Sequence, residues 1–279
     1  MIQLSPRPVS AIQEGITGRI EPGDGDKVLW LHGYTLDSSS WGEMWRRLPG
    51  WHHIGMDLPG HGSSEPMSGE GDLRDLGRRF GEYCLREGIR HIVALSFGTI
   101  TAIQIAIEYP DAFDSLVLGA PSLAGGPQDH ETGAVYMKLY ELYHRVGPGL
   151  EMRDLWMTAI AWKGVEKVTG LRESLGGLVA RHSWAELGGF AMRKQFTRPP
   201  HTEEDLRRIA TPVLILVGDQ ELPAFRQCAD VLERVLPRPA RRELPDTGHL
   251  CMLQSPDLSA RWIEAHLRAH ARNPPAVAT

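Results

Sequence analysis

The sequence predicts an α/β fold in which a mostly parallel, doubly wound sheet carries an all-helical insertion. Short apolar runs with the composition of buried strands, such as residues 28–31 and 212–218, alternate with segments whose apolar residues recur at helical spacing. This alternation implies parallel strands joined by crossover helices on both faces of the sheet. Between residues 122 and 200 the alternation stops, and helical stretches such as residues 135–146 and 150–162, separated by glycine-rich breaks, replace it.

The elements before the insertion follow from hydrophobic periodicity and from turn residues. Residues 9–20 alternate loosely and indicate an edge strand or hairpin, and Pro49-Gly50 ends a short helix. Residues 72–88 have one apolar face, which is typical of a helix that covers a sheet. The predicted strands are residues 28–31, 53–56, 92–95 and 113–121, and the predicted helices are residues 41–48, 72–88 and 99–109.

The elements after the insertion repeat the same pattern. Thr202 and Asp205 have the spacing of a capping box and predict a short helix. The later predicted strands are residues 212–218 and 241–244, and the later predicted helices are residues 224–236 and 258–269. We expect a core formed by residues 1–121 and 201–272, an inserted unit of residues 122–200, and a disordered tail at residues 273–279.

Composition restricts the class of protein. The chain has 279 residues, of which 42% are hydrophobic and 23% charged, and its net charge is −5, so it can form a full core. No basic cluster is present, which argues against nucleic acid as a partner. We expect no secretory signal and no membrane, since no apolar run approaches the ~20 residues of a membrane span. Three widely spaced cysteines predict free, buried thiols in a cytoplasmic protein, and no Cys/His spacing suggests a metal site.

One serine lies where a predicted strand turns into a helix. The run Ala94-Leu95-Ser96-Phe97-Gly98 ends a buried strand and starts a helix whose apolar residues include Ile100 and Ile103. So tight a turn needs a residue without Cβ, which Gly98 supplies, and it would hold the Ser96 hydroxyl above the helix N-terminus. From this window alone, a serine that merely ends a buried strand remains an equal alternative.

Further motifs follow other predicted strands. His32-Gly33-Tyr34 follows the strand at residues 28–31, and Gly248-His249 follows the last strand. The run from Asp57 to Ser64 reads D-x-x-G-x-G-x-S, where we expect Asp57 to hold the turn together through backbone N–H groups. Two acids, Asp219 and Glu221, follow the strand at residues 212–218. Because parallel strands gather their sites at their carboxyl ends, these groups should lie at one edge of the sheet.

Together these motifs resemble the α/β-hydrolase family, in chain order and across nearly the whole sequence. The elbow G-x-S-x-G is matched with Ala94 in place of the first glycine. The resemblance implies that Ser96 is the nucleophile, His249 the base, and Glu221 (or Asp219) the acid. It also implies that the backbone N–H groups of Tyr34 and Phe97 form an oxyanion hole.

The insertion resembles the helical cap of that family. It is rich in aromatic residues and methionine, which suggests a sizeable apolar substrate. We take Trp156, Trp162 and Tyr140 as candidates for binding that substrate. The alternative for each is that its side chain only packs the insertion onto the core.

The resemblance implies a serine hydrolase that cleaves a carboxylic ester or thioester of a fairly bulky apolar small molecule through an acyl-enzyme. No cofactor and no metal are expected. Hydrolysis of a carbon–carbon bond, a lyase or cyclase reaction, and ligand binding without turnover remain alternatives on the same fold. Ser96 argues against haloalkane and epoxide hydrolases, which need a carboxylate nucleophile. The sequence leaves open whether the protein is a monomer or a homodimer.

Overall fold

A computed structural model describes residues 4–67, 71–189 and 195–271 of the chain. Its centre is one eight-stranded sheet with the order β1-β2-β4-β3-β5-β6-β7-β8. The strands are β1 (Ser10–Gln13), β2 (Ile16–Glu21), β3 (Lys27–Leu31), β4 (His52–Met56), β5 (His91–Leu95), β6 (Ser115–Gly119), β7 (Val213–Gly218) and β8 (Pro239–Leu244). β1 pairs with β2 and β2 with β4 in antiparallel fashion, and all other neighbours are parallel.

Helices cover both faces of the sheet, as the apolar strand runs predicted. Successive residues of β3 alternate between two hydrophobic clusters, with Leu29 and Leu31 on one side and Val28 and Trp30 on the other. The flanking helices are α1 (Gly42–Arg47), α2 (Leu73–Glu87), α3 (Phe97–Glu108), α7 (Glu203–Arg207), α8 (Pro223–Val235), α9 (Cys251–Gln254) and α10 (Pro256–His270). The predicted fold class is therefore confirmed.

Between β6 and α7 the described residues form helices and loops but no strand. The helices include α4 (His130–Val146), α5 (Leu150–Trp156) and α6 (Leu171–Arg181), with short 3-10 turns at Ile160–Trp162, Val165–Lys167 and Ala185–Gly188. We call residues 122–189 and 195–200 the helical insert. The structure tests neither its boundaries as a separate unit nor the predicted tail, since residues 273–279 lie outside the described part.

The predicted helix over residues 150–162 is wrong in its second half. α5 ends at Trp156, and Ala159 has extended backbone angles (φ −62°, ψ 143°) before the 3-10 turn begins. α4, in contrast, begins five residues earlier than the pattern from residue 135 indicated. Its N-cap is Asp129, whose carboxylate accepts the N–H of Thr132 at 2.7 Å, so the polar first turn is helical without an apolar face.

The cysteine prediction agrees with the structure: Cys84, Cys228 and Cys251 are free and buried. Burial raises the pKa of the Cys84 and Cys251 thiols above their ordinary value, so both stay protonated at neutral pH. No helix within residues 4–67, 71–189 and 195–271 is both long and apolar enough to span a bilayer.

Candidate functional site

Ser96 sits between β5 and α3 in a strained backbone conformation. Its φ of 50° and ψ of −117° are rare for a residue with a side chain. The backbone around it is fixed, because its N–H donates to Gly119 O at 2.8 Å and its carbonyl accepts the Thr99 N–H at 2.8 Å. The turn also requires Gly98, where a Cβ would lie 2.6 Å from the carbonyl oxygens of Leu31 and His32. The predicted close approach of helix and strand at Gly98 is therefore present.

Ser96, His249 and Glu221 are brought into one hydrogen-bonded chain. Ser96 Oγ lies 2.7 Å from His249 Nε2, and His249 Nδ1 lies 3.0 Å from Glu221 Oε1. A carboxylate only accepts, so Nδ1 carries the proton and Nε2 of the neutral ring accepts from the serine hydroxyl. All three residues are buried, and the Glu221 side chain is 0% exposed. This arrangement can move a proton from Ser96 to His249 beside a fixed negative charge.

Asp219, the competing acid, has a different position. Its carboxylate accepts the backbone N–H groups of Asp246 and Thr247 at 3.0 and 3.2 Å, and the residue is exposed. Asp219 thus holds the loop that leads to His249, whereas Glu221 contacts the imidazole itself. Between the two acids, the structure brings Glu221 to the histidine.

The loop that carries His249 is also tied to the insert. Gln254 accepts the Gly248 N–H at 2.7 Å and donates to the carbonyl of Lys163 at 3.1 Å. At the end of β7, a Cβ on Gly218 would lie 2.3 Å from the carbonyl oxygen of Thr247, so the loop packs against bare backbone. The ring of Phe225, on α8, packs on His249 with centroids 4.0 Å apart. These contacts restrict the orientation of the imidazole.

Tyr34 and Phe97, whose backbone N–H groups the motif implies as oxyanion donors, both lie near Ser96 in the chain fold. A Cβ added to Gly33 would lie 3.7 Å from Ser96 Cβ, so the loop after β3 adjoins the serine. The Tyr34 and Phe97 rings are 5.6 Å apart. Within the described ranges, neither backbone N–H has a protein acceptor. Both amides are therefore available to another oxygen near Ser96.

The insert contacts this loop through side chains. Trp156 Nε1 donates to Thr35 Oγ1 at 2.9 Å, and the Tyr34 hydroxyl donates to Glu186 Oε1. His182 Nε2 donates to the same Glu186 oxygen at 3.0 Å, and its ring lies 4.6 Å from that of His61. We call Tyr34, His61, His182 and Glu186 the polar cluster.

Burial and pairing set the charges in the polar cluster. Burial opposes ionisation of Glu186, but its hydrogen bonds from His182 and Tyr34 outweigh this and lower the pKa of the carboxyl. Burial together with the neighbouring His182 and His32 holds the pKa of His61 well below its usual value. Burial and the adjacent Glu186 carboxylate raise the pKa of Tyr34. The cluster therefore contains an ionised carboxylate, a neutral His61 and a neutral tyrosine at pH 7.

The three predicted substrate-binding residues lie in different surroundings. Trp156 and Trp162 are buried, and their rings meet edge to face at 6.3 Å, with Trp156 also 5.4 Å from Tyr34. Tyr140 is half-buried and its ring contacts His144 in a tilted arrangement at 4.4 Å, while Tyr136, one helical turn earlier, packs 6.3 Å from Tyr34. Trp156 is therefore the candidate that reaches the Tyr34 loop directly.

Sequence reasoning missed Phe225, His182 and Glu186. The only sequence signal for the last two is a histidine and a glutamate four residues apart, which is common on solvated helices. Phe225 follows Glu221 by one helical turn but has no motif of its own. For metals, no cluster of three His, Cys, Asp or Glu side chains suited to an ion occurs among the residues that the structure describes.

Comparison with known proteins places this geometry in a family. The model of the Alpha/beta hydrolase family matches residues 28–262. The chain is 22% identical over 252 residues to 2-succinyl-6-hydroxy-2,4-cyclohexadiene-1-carboxylate synthase of Enterobacter sp. (strain 638), covering 89% of this chain and 94% of that protein. It is 24% identical over 250 residues to pimeloyl-[acyl-carrier protein] methyl ester esterase of Pectobacterium carotovorum, covering 88% and 96%.

Solved structures show the same fold. MenH from S. aureus superposes with a TM-score of 0.77 at 17% identity, covering 90% of this chain and 98% of that one. The family match spans most of the sequence and includes Ser96, Glu221 and His249. The chain belongs to the alpha/beta hydrolase family.

Proposed function

We propose that the protein is a serine hydrolase that cleaves a carboxylic ester or thioester of a bulky, apolar small molecule through an acyl-enzyme. The observation that carries this proposal is the hydrogen-bonded chain from Ser96 Oγ to His249 at 2.7 Å and from His249 to Glu221 at 3.0 Å. A serine hydroxyl is a weak nucleophile at pH 7 and needs such a base. Similarity to a methyl ester esterase supports the ester class.

In the first half of the reaction, Ser96 Oγ attacks the substrate carbonyl carbon while its proton passes to His249 Nε2. The ionised Glu221 stabilises the resulting imidazolium and keeps Nδ1 protonated. Collapse of the tetrahedral intermediate breaks the bond to the alcohol or thiol. That leaving group takes the proton from Nε2, and the acyl group stays on Ser96.

The oxygen of the tetrahedral intermediate carries negative charge, and the Tyr34 and Phe97 N–H groups are the donors that we assign to it. Their lack of protein acceptors among the described residues supports the assignment. The N-terminus of α3 adds its positive dipole end at the same place. Loss of one such donor typically lowers kcat by about 10²–10³-fold.

In the second half, a water molecule replaces the leaving group. His249 Nε2 takes one proton from the water, the hydroxide oxygen bonds to the acyl carbon, and collapse releases the acid. The proton returns from Nε2 to Ser96 Oγ, which restores the enzyme. These steps use only side chains already in contact in the structure.

We further propose that residues 122–200 act as a cap on a core of residues 1–121 and 201–272, and that Trp156, Trp162 and Tyr140 contribute apolar walls to the substrate pocket. The hydrogen bonds of Trp156 with Thr35 and of Glu186 with Tyr34 support a covering role. Free, buried thiols fit a reducing compartment, and we propose the cytoplasm.

A second candidate is a non-hydrolytic or carbon–carbon-cleaving reaction in the same pocket, with the same three residues. Similarity to a synthase over 89% of the chain favours keeping this candidate. A ligand-binding protein that does not turn over is the third. Product analysis separates the candidates: hydrolysis yields an acid and an alcohol or thiol, whereas binding alone yields no product.

The test is labelling with a fluorophosphonate, followed by intact mass and peptide mapping. We expect one label per chain on Ser96 in the wild type, no label in Ser96→Ala, and strongly reduced labelling in His249→Ala. An ester and thioester panel of increasing chain length then measures kcat/KM. A folded wild type that resists both this reagent and a smaller phosphonate would overturn the proposal.

A further inference from the structure

The polar cluster contains three buried polar atoms without a hydrogen-bond partner in the part of the chain that is described. These atoms are Glu186 Oε2, His182 Nδ1 and His61 Nε2. The side chains are almost fully enclosed, with 7% of Glu186 and 1% of His182 exposed. Native proteins bury few polar atoms without partners, so three in one cluster call for an explanation.

Hydrogen bonds inside the protein fix what each free atom can do. His61 Nδ1 lies 3.1 Å from the carbonyl oxygen of Pro59, which only accepts, so Nδ1 carries the proton and Nε2 keeps its lone pair. His182 Nε2 likewise donates to the Glu186 carboxylate. Glu186 Oε2 is a carboxylate oxygen. Glu186 Oε2 and His61 Nε2 are therefore acceptors.

The cluster adjoins the atoms of the proposed reaction. The His61 ring lies 5.7 Å from Phe97, the residue after Ser96, and 5.8 Å from Tyr34. The Tyr34 hydroxyl donates to Glu186 Oε1. A substrate bound to Ser96 thus has these acceptors beside its carbonyl-binding end.

We propose that Glu186 and His61 form a subsite that binds a hydrogen-bond-donating group of the substrate, a hydroxyl or a primary ammonium, and rejects a carboxylate. Two acceptors, one of them a carboxylate oxygen, satisfy such donors, and the Glu186 carboxylate repels an anion. Because the atoms are enclosed in this structure, the group reaches them when the insert separates from Tyr34. This inference rests on the proposed function and narrows its substrate class.

The experiment uses 4-nitrophenyl phenylacetates that carry a methyl, hydroxymethyl, aminomethyl or carboxylate group at the meta or para position. We expect hydroxymethyl or aminomethyl to raise kcat/KM about 10- to 100-fold over methyl, the range for a hydrogen bond to a charged group. We expect carboxylate to fall below methyl. The substituent with the higher kcat/KM, hydroxymethyl or aminomethyl, shows whether the subsite prefers a hydroxyl or an ammonium group. A carboxylate substrate equal to or better than both donors would overturn the subsite.

Glu186→Gln gives the sharper contrast. The amide oxygen can accept the hydrogen bonds from Tyr34 and His182. The amide NH₂ then takes the place of Oε2, so a donor replaces the free acceptor. The substrate preference should therefore shift toward the carboxylate substituent. Ser183→Ala is the matched control, since Ser183 donates to the carbonyl of Gly60 at 3.1 Å in the same segment. It should keep the wild-type order of substrates. An order that is unchanged in Glu186→Gln would contradict the proposal.

Binding distinguishes failure of the subsite from failure of the proposed function. Calorimetry with the corresponding phenylacetamides on Ser96→Ala needs no turnover. Donor-selective binding in a wild type that neither labels nor hydrolyses would retain the subsite and reject the hydrolase. If esters are hydrolysed but neither turnover nor binding prefers a hydrogen-bond donor, the hydrolase is retained and the subsite is rejected.

Discussion

Replacing Glu221 with glutamine tests the proton relay at the point where two acids compete. Glu221 Oε1 lies 3.0 Å from His249 Nδ1 and also accepts the Leu222 N–H at 2.8 Å. In Glu221→Gln the amide oxygen can accept both hydrogen bonds. The amide NH₂ would not occupy the Oε1 position, because it would then face the Leu222 N–H, which is also a donor. The variant therefore removes the charge and leaves the geometry.

The size of the effect follows from that distance. An imidazolium and a carboxylate 3.0 Å apart attract each other by about 5.5 kcal/mol at an effective dielectric constant of about 20. Each tenfold change in rate corresponds to about 1.36 kcal/mol of activation free energy, so losing this attraction should lower kcat/KM by about 10⁴-fold. Asp219→Asn removes the same charge from an exposed side chain that contacts only backbone amides in the loop. We expect it to change kcat/KM by less than about threefold.

The assay is kcat/KM on the best ester of the panel, with the rate of fluorophosphonate labelling as a second readout. Thermal unfolding checks that both variants are folded. The reasoning fails if Asp219→Asn loses as much activity as Glu221→Gln. It fails equally if Glu221→Gln stays within tenfold of the wild type, because a buried charge in contact with the base would then contribute almost nothing.

Four further substitutions test the fold around the site. Gly98→Ala should lower the free energy of unfolding by about 1–3 kcal/mol, because its Cβ would meet backbone oxygens at 2.6 Å. Gly133→Ala lies on an exposed turn of α4, where an added Cβ would meet no atom within 4 Å, and should raise the free energy of unfolding by about 0.5–1 kcal/mol. Chemical denaturation of the two variants checks that the changes have opposite signs. Burial lowers the pKa of His53 to about 4, so the unfolded chain binds an extra proton between about pH 4 and 6.5 and stability falls as the pH falls. His53→Gln should therefore flatten the dependence of unfolding free energy on pH by about 1.1 kcal/mol per pH unit between pH 4.5 and 6, and an unchanged slope would refute this. Asp57→Asn weakens acceptance of the backbone N–H groups of Ser38 and Ser63 and should lower the unfolding free energy by about 1–2 kcal/mol with kcat/KM within twofold. A large loss of activity would instead give Asp57 a part in the chemistry.

The sequence predicted the strands and the positions of Ser96 and His249 because local pattern determines them. A buried strand ends, a tight turn needs glycine, and parallel strands bring such ends together. The same reasoning could not decide between Asp219 and Glu221, which follow one strand two residues apart. The decision comes from tertiary contacts: the amides of Asp246 and Thr247 bind Asp219 and leave Glu221 to His249.

The polar cluster could not be predicted from the sequence, because it also depends on tertiary contacts. Tyr34 and Glu186 are 152 residues apart, and no motif links them. The helix predicted to run through Trp162 failed because apolar spacing continues where the backbone at Ala159 becomes extended. Hydrophobic periodicity indicates which residues are buried. It does not indicate where a helix of the insert ends, because packing against the core determines that end.

The two parts of the site are held by different kinds of contact. Around Ser96 and His249 the close approaches involve main-chain atoms: a Cβ at Gly98 or Gly218 would lie within 2.6 Å of backbone oxygens that no rotamer change can move. The insert instead reaches Tyr34 and Thr35 through the side chains of Glu186 and Trp156. Substitutions in the insert can therefore change the groups offered to a substrate while the distance from Ser96 to His249 stays fixed. Under the proposed function, the residues for proton transfer and those for recognition are therefore separable. The family match across residues 28–262 establishes the fold, and the substrate has to be inferred from the site itself.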